Sequence, residues 1–188
     1  MASSLVLNDI HALGKSDATN IIEQITRIEK RTFPTSEAFE FDLSLWRKKP
    51  NTRVIYGVLL TSNPSNGNGR SHNGDDSGRT TSRTNGNLSK VVAYAVYVRI
   101  KGTALLHKVC IAEPYRHQGL GKALMGYIEQ RLRKEGCRNV HLWVDQDREA
   151  ARRLYAACGF EERERVVDYY GPGRTGIKMI LDLDRAER

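Results

Sequence analysis

The sequence Arg-His-Gln-Gly-Leu-Gly at residues 116–121 decides the fold, because it joins a mostly apolar run at 104–112 to a helix-like segment at 122–133. A glycine-rich turn between strand and helix leaves backbone N–H groups free at the helix start, where the helix dipole adds partial positive charge. Gly119 and Gly121 lack a Cβ, so the backbone can approach a phosphate closely. The stretch therefore predicts a seat for a pyrophosphate-bearing cofactor.

Two common phosphate motifs do not fit this loop. A P-loop requires Ser or Thr after Gly-Lys, and Gly121-Lys122 is followed by Ala123. A dinucleotide-binding G-x-G-x-x-G motif requires a third glycine, where Leu124 stands. The remaining pattern, R-x-x-G-x-G, resembles the acetyl-CoA loop of the GCN5-related N-acetyltransferase (GNAT) superfamily. The alternative is an ordinary glycine-rich start of a helix.

Three further motifs resemble the same superfamily and occur in its order. The sequence Leu-Tyr-Ala-Ala-Cys-Gly-Phe at 154–160 is similar to the L-Y-x-x-x-G-F end of the second cofactor helix. Asp-Tyr-Tyr at 168–170, followed by an apolar strand with Met179, is typical of members that acetylate peptides. Phe-Pro-Thr-Ser at 33–36 resembles the F-P-x-S segment of N-terminal (Nα) acetyltransferases, most like the NatE-type catalytic subunit. The resemblance extends from about residue 10 to residue 183, apart from one insertion.

Bulk properties narrow the class of protein. A chain of 188 residues is expected to form one domain, 1–188. We expect no membrane association, because no apolar run approaches the ~20 residues that a span requires, and the first residues show no secretory signal. Cys110, Cys137 and Cys158 have no metal-like spacing, so we expect no metal site and a reducing compartment, cytoplasmic and possibly also nuclear.

The chain carries a formal net charge of +8. Such a charge suits nucleic acid, a ribosome surface or the phosphates of CoA, or it forms a solvated basic surface, which we favour. No nucleic-acid motif is present, so we expect no specific nucleic-acid binding. An auxiliary subunit or the ribosome is a possible partner, since relatives often work in complexes.

Periodicity predicts an α/β fold with a mixed, mostly antiparallel central sheet flanked by about four helices. A first helix is capped by Ser16 or Asp17 and ends at Pro34, and a second runs from Ser36 to Pro50. The other elements are strands at 53–60, 90–100, 103–112, 140–145, 162–168 and 177–183, and helices at 122–133 and 148–158.

The insertion at 61–89 is rich in Ser, Asn, Gly, Thr and Arg and has almost no apolar residues. It cannot offset its ordering entropy by burial, so it is predicted to be a disordered hairpin extension. The alternative is a docking arm.

The resemblance implies direct transfer of an acetyl group from acetyl-CoA to an amine, without an acyl-enzyme. It implies that Tyr155 supplies a proton or hydrogen bond to the leaving thiolate; the alternative is that its ring only packs in the core. Cys110 lies mid-strand without an evident base, so we expect a core role for its thiol. The cofactor-binding residues carried over from the family are Val109, Cys110, Ile111, Arg116, His117, Gln118, Gly119, Leu120, Gly121, Lys122, Arg148, Ala151 and Tyr155.

The catalytic base does not follow from the family pattern. NatE-type enzymes commonly have a tyrosine on strand four and a histidine on strand five, and Leu105 and Trp143 stand at those positions. His107 and His141 are the candidates instead, because strand alternation puts His107 on the face of Leu105 and Val109, and His141 on the face of Trp143. Each histidine could alternatively be a hydrogen-bonded edge or core residue.

The expected substrate is the free α-amine of a peptide or protein N-terminus. Such an amine has a pKa near ~8, against ~10.4 for lysine, so it needs less help to become neutral. NatE-type enzymes prefer Met followed by a hydrophobic residue, but Glu37 stands where an aromatic residue is expected. Lysine side chains, polyamines or other small amines, and a non-catalytic CoA-binding module, remain alternatives. The predicted substrate-binding residues are Phe33, Pro34, Glu37, Leu105, His107, Trp143, Tyr169 and Tyr170.

Overall fold

The computed structural model describes residues 4–37, 39, 41, 49–60 and 90–185 of the chain. These residues form one seven-stranded sheet of order β1-β2-β3-β4-β5-β7-β6. The strands are β1 Ser4–Asp9, β2 Thr52–Leu60, β3 Val91–Ile100, β4 Thr103–Ile111, β5 Asn139–Asp145, β6 Glu161–Val166 and β7 Gly176–Asp182. The α-helices of the described part are α1 Lys15–Thr32, α2 Leu120–Lys134 and α3 Glu149–Ala157.

The predicted strands and helices from residue 90 onward are all present, with ends shifted by one or two residues. Strand β1 was not predicted. The first helix begins at Lys15 after Gly14, without a side-chain cap, so the predicted capping by Ser16 or Asp17 is wrong. Where the second helix was predicted to begin, Thr35–Glu37 forms a single 3-10 turn, and most of its remaining length lies outside the described residues. The insertion at 61–89 also lies outside them.

The core lies on both faces of the sheet, because the central strand β3 is buried along most of its length. One face packs against α2 through Leu124, Met125, Ile128 and Leu132, and the other against α1 through Ala18, Ile22 and Ile25. Burial of each large aliphatic side chain contributes roughly 1.5–3 kcal/mol. Within the described ranges, no helix is both long enough and apolar enough to cross a membrane.

Two irregularities of β4 shape the centre of the sheet. Strand β4 pairs in parallel with β5 from Thr103 to Leu106, and the two strands diverge beyond that point. The register between β3 and β4 shifts at the next residue: Tyr97 lies opposite Leu106 and Val96 opposite Lys108, which leaves His107 as the extra residue of a β-bulge. The open gap and the bulge therefore begin at the same place.

Candidate active site

The loop before α2 presents free backbone N–H groups. Gly119 adopts a left-handed conformation (φ 76°) directly before the helix. The N–H groups of residues 118–122 donate to no carbonyl or side chain in the described part of the chain. Because they stand at a helix N-terminus, they form an anion-binding concavity of the kind predicted.

Gly121 also lies where two helices pack closely. A Cβ at this position would lie 3.0 Å from Leu154 Cδ2 of α3, so the backbone of α2 approaches α3 closely here. The same glycine thus serves the loop and the helix contact beside it.

In the described part of the sheet, the edge of β4 that faces the gap has no strand partner beyond Leu106. The N–H of Ala112 donates to the carbonyl of Val92 at 2.8 Å, which makes this pair a hydrogen-bonded one. Because such pairs alternate in antiparallel strands, the N–H and C=O groups of Val109 and Ile111 point away from β3, into the gap. Nε of Arg116 donates to the Ile111 carbonyl at 3.1 Å.

Cys110 faces the opposite way. Its thiol lies in the core against α1, and its backbone amide points toward β3. Burial raises the pKa of Cys110 to about 11, so the side chain stays a thiol. This placement agrees with the expected core role and with the absence of an activated nucleophile at this position.

A pocket of about 340 Å³ opens between β4 and β5. It brings together the following predicted site residues: Phe33, Glu37, His107, Val109, Trp143, Arg148, Ala151, Tyr155 and Tyr170. It is also lined by residues that were not predicted as site residues: Ser36, Phe39, Lys108, Val144 and Asp145. A larger open groove of about 1000 Å³ lies between α2 and the β6–β7 hairpin, but it contains no predicted substrate or catalytic residue.

Three predicted substrate-binding residues, Pro34, Leu105 and Tyr169, do not line this pocket, and neither does His141, a predicted catalytic residue. Leu105 and His141 lie opposite each other where β4 and β5 are still paired, and Pro34 is exposed on the neighbouring turn. Tyr169 is stacked on Trp143, with ring centroids 4.2 Å apart, so it supports the wall from behind. The pKa of His141 is lowered mainly by burial and to a smaller extent by the positive charge of Lys178.

His107 lines the pocket at the bulge, on the α1 side of the sheet near Phe39. Ala104 and Leu106 pack toward α2, and so does Val109, so the bulge reverses the alternation between residues 106 and 109. The prediction that Leu105 and Val109 share a face is therefore wrong. The His107 ring is exposed at the mouth of the pocket, 6.3 Å from the ring of Phe39, and partial desolvation lowers its pKa. The imidazole is thus neutral at neutral pH, with a nitrogen able to accept a proton.

A cluster of paired charges forms one side of the pocket. Glu37 contacts Arg148 at 2.6 Å and Arg174 at 2.6 Å. Arg174 also pairs with Asp145, its Nε lying 2.8 Å from Oδ2. Burial alone would raise the pKa of Asp145, but the N–H of Asp147 and the Arg174 guanidinium stabilise the carboxylate and lower its pKa. The cluster fastens the 35–37 turn to the ends of β5 and the β6–β7 hairpin.

The comparisons with known proteins agree with this geometry. The model of the acetyltransferase (GNAT) family matches residues 23–160. The chain belongs to the GNAT family. This match confirms the predicted family and fold class. It also confirms the predicted class of enzyme, an acetyl-CoA-dependent acyltransferase.

Two relatives of this chain are named as N-acetyltransferases. The chain is 32% identical over 81 residues to the [ribosomal protein bS18]-alanine N-acetyltransferase of Escherichia coli (strain K12), covering 43% of this chain and 55% of that protein. It is 28% identical over 86 residues to N-alpha-acetyltransferase 30 of Saccharomyces cerevisiae, covering 46% and 48%. The matched region thus spans about half the length of the curated relatives. The finer likeness to NatE-type subunits stays a prediction.

Solved structures share the whole fold. The crystal structure of the E. coli S18-alanine N-acetyltransferase superposes with a TM-score of 0.65 at 20% identity, covering 98% of this chain and 97% of that one. Spermidine N-acetyltransferase from Vibrio cholerae, in complex with CoA and spermine, superposes with a TM-score of 0.65 at 13% identity, covering 96% of each chain. At these identities the likeness concerns the fold alone.

Several groups of this chain are suited to binding CoA. The unpaired N–H groups of residues 118–122 suit a pyrophosphate, and the amides of Val109 and Ile111 along the gap suit an extended amide-bearing arm. Arg116 and Lys122 flank the loop, and Arg148 and Ala151 stand on the α3 side of the gap. These residues would hold the cosubstrate, which supplies the activated acetyl group.

The position of Tyr155 is compatible with both of the roles considered from the sequence. Its ring is 9% exposed and packs 5.8 Å from the ring of Phe160, yet the residue also lines the pocket. Burial raises its pKa, so the phenol stays protonated and can donate a hydrogen bond. Tyr170 also stays protonated. Burial is the main cause that raises its pKa to about 12, and the neighbouring Tyr169 is the second cause.

Proposed function

We propose that this chain transfers the acetyl group of acetyl-CoA to the free α-amine of protein N-termini. The observation that carries the proposal is that the carboxylates lining the pocket are already paired with arginines. Glu37 and Asp145 are its carboxylates among the described lining residues, and both are paired with arginine. The other walls are largely aromatic, with Phe33, Phe39, Trp143 and Tyr170 among them. Such a pocket suits an uncharged first side chain.

The chemistry of the base supports an α-amine over a lysine. At pH 7 about a tenth of an α-amine of pKa ~8 is neutral, against well under a thousandth of a lysine of pKa ~10.4, a difference of about 3 kcal/mol. His107 has a lowered pKa, so it is neutral but only weakly basic. A weak base, acting directly or through one water, is sufficient for an amine that is already partly deprotonated.

Three residues have defined roles in the proposed reaction. His107 accepts the proton that leaves the attacking amine. The backbone N–H of Val109 points into the gap, where it can stabilise charge that develops on a carbonyl oxygen. The protonated phenol of Tyr155 hydrogen-bonds to the leaving sulfur. No acyl-enzyme is involved, because Cys110 faces the α1 side of the sheet.

Polyamines fit this pocket less well. A polyamine carries several ammonium groups, and burying them requires carboxylates that are free to pair with them. In the described pocket lining, Glu37 and Asp145 are already neutralised by guanidinium groups. The shared fold with spermidine N-acetyltransferase therefore carries no substrate assignment.

We also propose the cytoplasm, with the nucleus as a second site, where the three cysteines stay reduced. Cys110, Cys137 and Cys158 are all free thiols within the described residues. An auxiliary subunit or the ribosome is the proposed partner, in line with the named relative that acts on a ribosomal protein.

The test is mass-resolved acetyl transfer from acetyl-CoA to a matched panel. The panel contains peptides with free N-termini beginning Met-hydrophobic, Met-acidic, Ser and Ala, the same peptides with blocked N-termini and one internal lysine, and spermidine. We expect acetylation of the free N-termini only. Transfer confined to blocked peptides or spermidine would overturn the proposal, and tight acetyl-CoA binding with no transfer to any amine would favour a non-catalytic CoA-binding module.

A further inference from the structure

A buried carboxylate lies behind the pocket wall. Glu29 of α1 is 1% exposed and does not line the pocket. It accepts hydrogen bonds from the N–H of Phe39 at 2.9 Å and from the hydroxyl of Tyr94. It also pairs with the ammonium group of Lys108, 3.0 Å away. An acidic side chain is rarely buried so fully, so each of these partners is needed.

Lys108 connects this carboxylate to the other end of the same wall. Its ammonium group donates to the backbone carbonyl of Glu37 at 2.7 Å and lies 3.5 Å from the centre of the Phe33 ring. Phe33, Glu37 and Phe39 all line the pocket. One buried ion pair therefore holds the wall segment 33–39 at three points, through a ring, a carbonyl and an N–H.

We propose that Glu29 and Lys108 are positioning residues for the peptide substrate. They fix the wall segment 33–39 against β4, so that its aromatic side chains are in place when a peptide N-terminus enters. Lys108 directly follows His107 at the bulge, so the same ion pair also fixes the strand that presents the base. This inference rests on the proposed function, because it assigns the wall to a peptide.

Stability alone does not account for this pair. A buried ion pair costs desolvation, and a hydrophobic pair of similar size is often as stable or more stable. An apolar pair, however, could not bond the Glu37 carbonyl and the Phe39 N–H. Charge-assisted hydrogen bonds are shorter and stronger than neutral ones, and they fix direction as well as distance. The contacts of the ion pair thus hold Glu37 and Phe39 of the pocket wall in fixed positions.

The first test compares the KM for the peptide with the KM for acetyl-CoA. The variant Glu29→Gln/Lys108→Met removes both charges and so leaves neither buried alone. We expect the KM for an N-terminal peptide to rise by about tenfold to a hundredfold, as for the loss of charge-assisted hydrogen bonds. The KM for acetyl-CoA should rise much less than the peptide KM, because the loop at 116–121 is not touched. Glu29→Gln alone should not recover the loss, because it leaves the Lys108 ammonium group buried without its counter-ion.

The matched control is Arg131→Met/Glu135→Gln. This pair is also partly buried, with 2.9 Å between Arg131 Nε and Glu135 Oε1, but neither residue lines the pocket. The control should melt earlier than the wild type and keep its peptide KM. Equal rises of both KM values in the Glu29/Lys108 variant, or an unchanged peptide KM, would overturn the inference.

A second readout does not depend on activity. Hydrogen–deuterium exchange of the peptide fragment that contains Phe39 should be faster in the double variant, while exchange in α2 stays as in the wild type. If the wild type acetylates no amine, the proposed function fails, and unchanged exchange at Phe39 would then overturn the positioning role by itself. If the double variant does not fold, Lys108→Arg, which keeps a positive charge beside Glu29 but alters the contacts with Phe33 and the Glu37 carbonyl, is judged by the same two readouts.

Discussion

His107 is the residue on which the proposed chemistry most depends. Replacing it with Gln keeps a polar side chain of similar size and removes the titrating nitrogen. A positioned general base contributes about 10² to 10⁴ in rate, so we expect kcat/KM for an N-terminal peptide to fall by at least about a hundredfold. The ring is exposed at the pocket mouth, so the melting temperature should change little.

The pH profile distinguishes a base from a residue that only shapes the pocket. Desolvation lowers the pKa of His107 below its ordinary value of about 6.5. The imidazole is protonated and inactive below this lowered pKa, and it becomes neutral and active as the pH rises through it. The wild-type kcat/KM should therefore rise in two steps, the first below pH ~6.5 from His107 and the second near pH ~8 from the substrate amine. In His107→Gln the first step should be lost.

The chain offers a matched control for this substitution. His141 also lies on a central strand and also has a pKa lowered by burial, but it does not line the pocket. His141→Gln should keep wild-type kcat/KM and both steps of the profile, measured by release of CoA under steady-state conditions. The reasoning is refuted if His107→Gln retains the first step or a rate within tenfold of wild type, or if His141→Gln loses them instead.

Three other changes have defined outcomes. Gly121→Glu should abolish acetyl-CoA binding in calorimetry, since it places a negative charge at the loop, whereas Gly126→Glu on the same helix, where a Cβ has nothing within 4 Å, should bind normally. Tyr155→Phe should lower kcat by about tenfold to a hundredfold without changing the acetyl-CoA KM, as for loss of one charge-assisted hydrogen bond; an unchanged kcat would leave the ring a packing role only. Deleting residues 61–89 and joining β2 to β3 by a short turn should leave kcat/KM intact, because Val58 lies opposite Val91 in the sheet; a large fall would indicate a role for the insertion at the site.

The parts of the fold that local patterns determine could be predicted from the sequence. The loop at 116–121 and the helix after it follow from glycine placement and helical spacing, and both are found. Strand β1 was missed because its partner β2 lies more than forty residues further along the chain and its own apolar run does not alternate. Edge strands of this kind are defined by pairing rather than by propensity.

The parts of the site that depend on distant contacts could not be predicted. The charge cluster joins Glu37, Asp145 and Arg174, which come from three separate segments, and no spacing relates them. The prediction for the face of Val109 failed for a different reason. Strand alternation assumes a period of two residues, and one bulge reverses it for every residue that follows.

The end of the β4–β5 pairing explains why chemistry is placed at this point of the sheet. Leu106 is the last β4 residue paired with β5, and His107, the next residue, is the bulge. His107 lies beside Phe39 on the α1 side of the sheet, one residue beyond the point where β4 and β5 stop pairing. Its imidazole therefore lines the opening, while the N–H groups of Val109 and Ile111 are aligned along the gap. Leaving a buried backbone group unpaired costs about 1–3 kcal/mol, so the open edge is most stable when an amide-bearing ligand completes it. The same point of the sheet thus provides the proton acceptor and the ligand-binding edge, which is why we expect His107, rather than His141 where the strands are still paired, to govern the acid step of the pH profile.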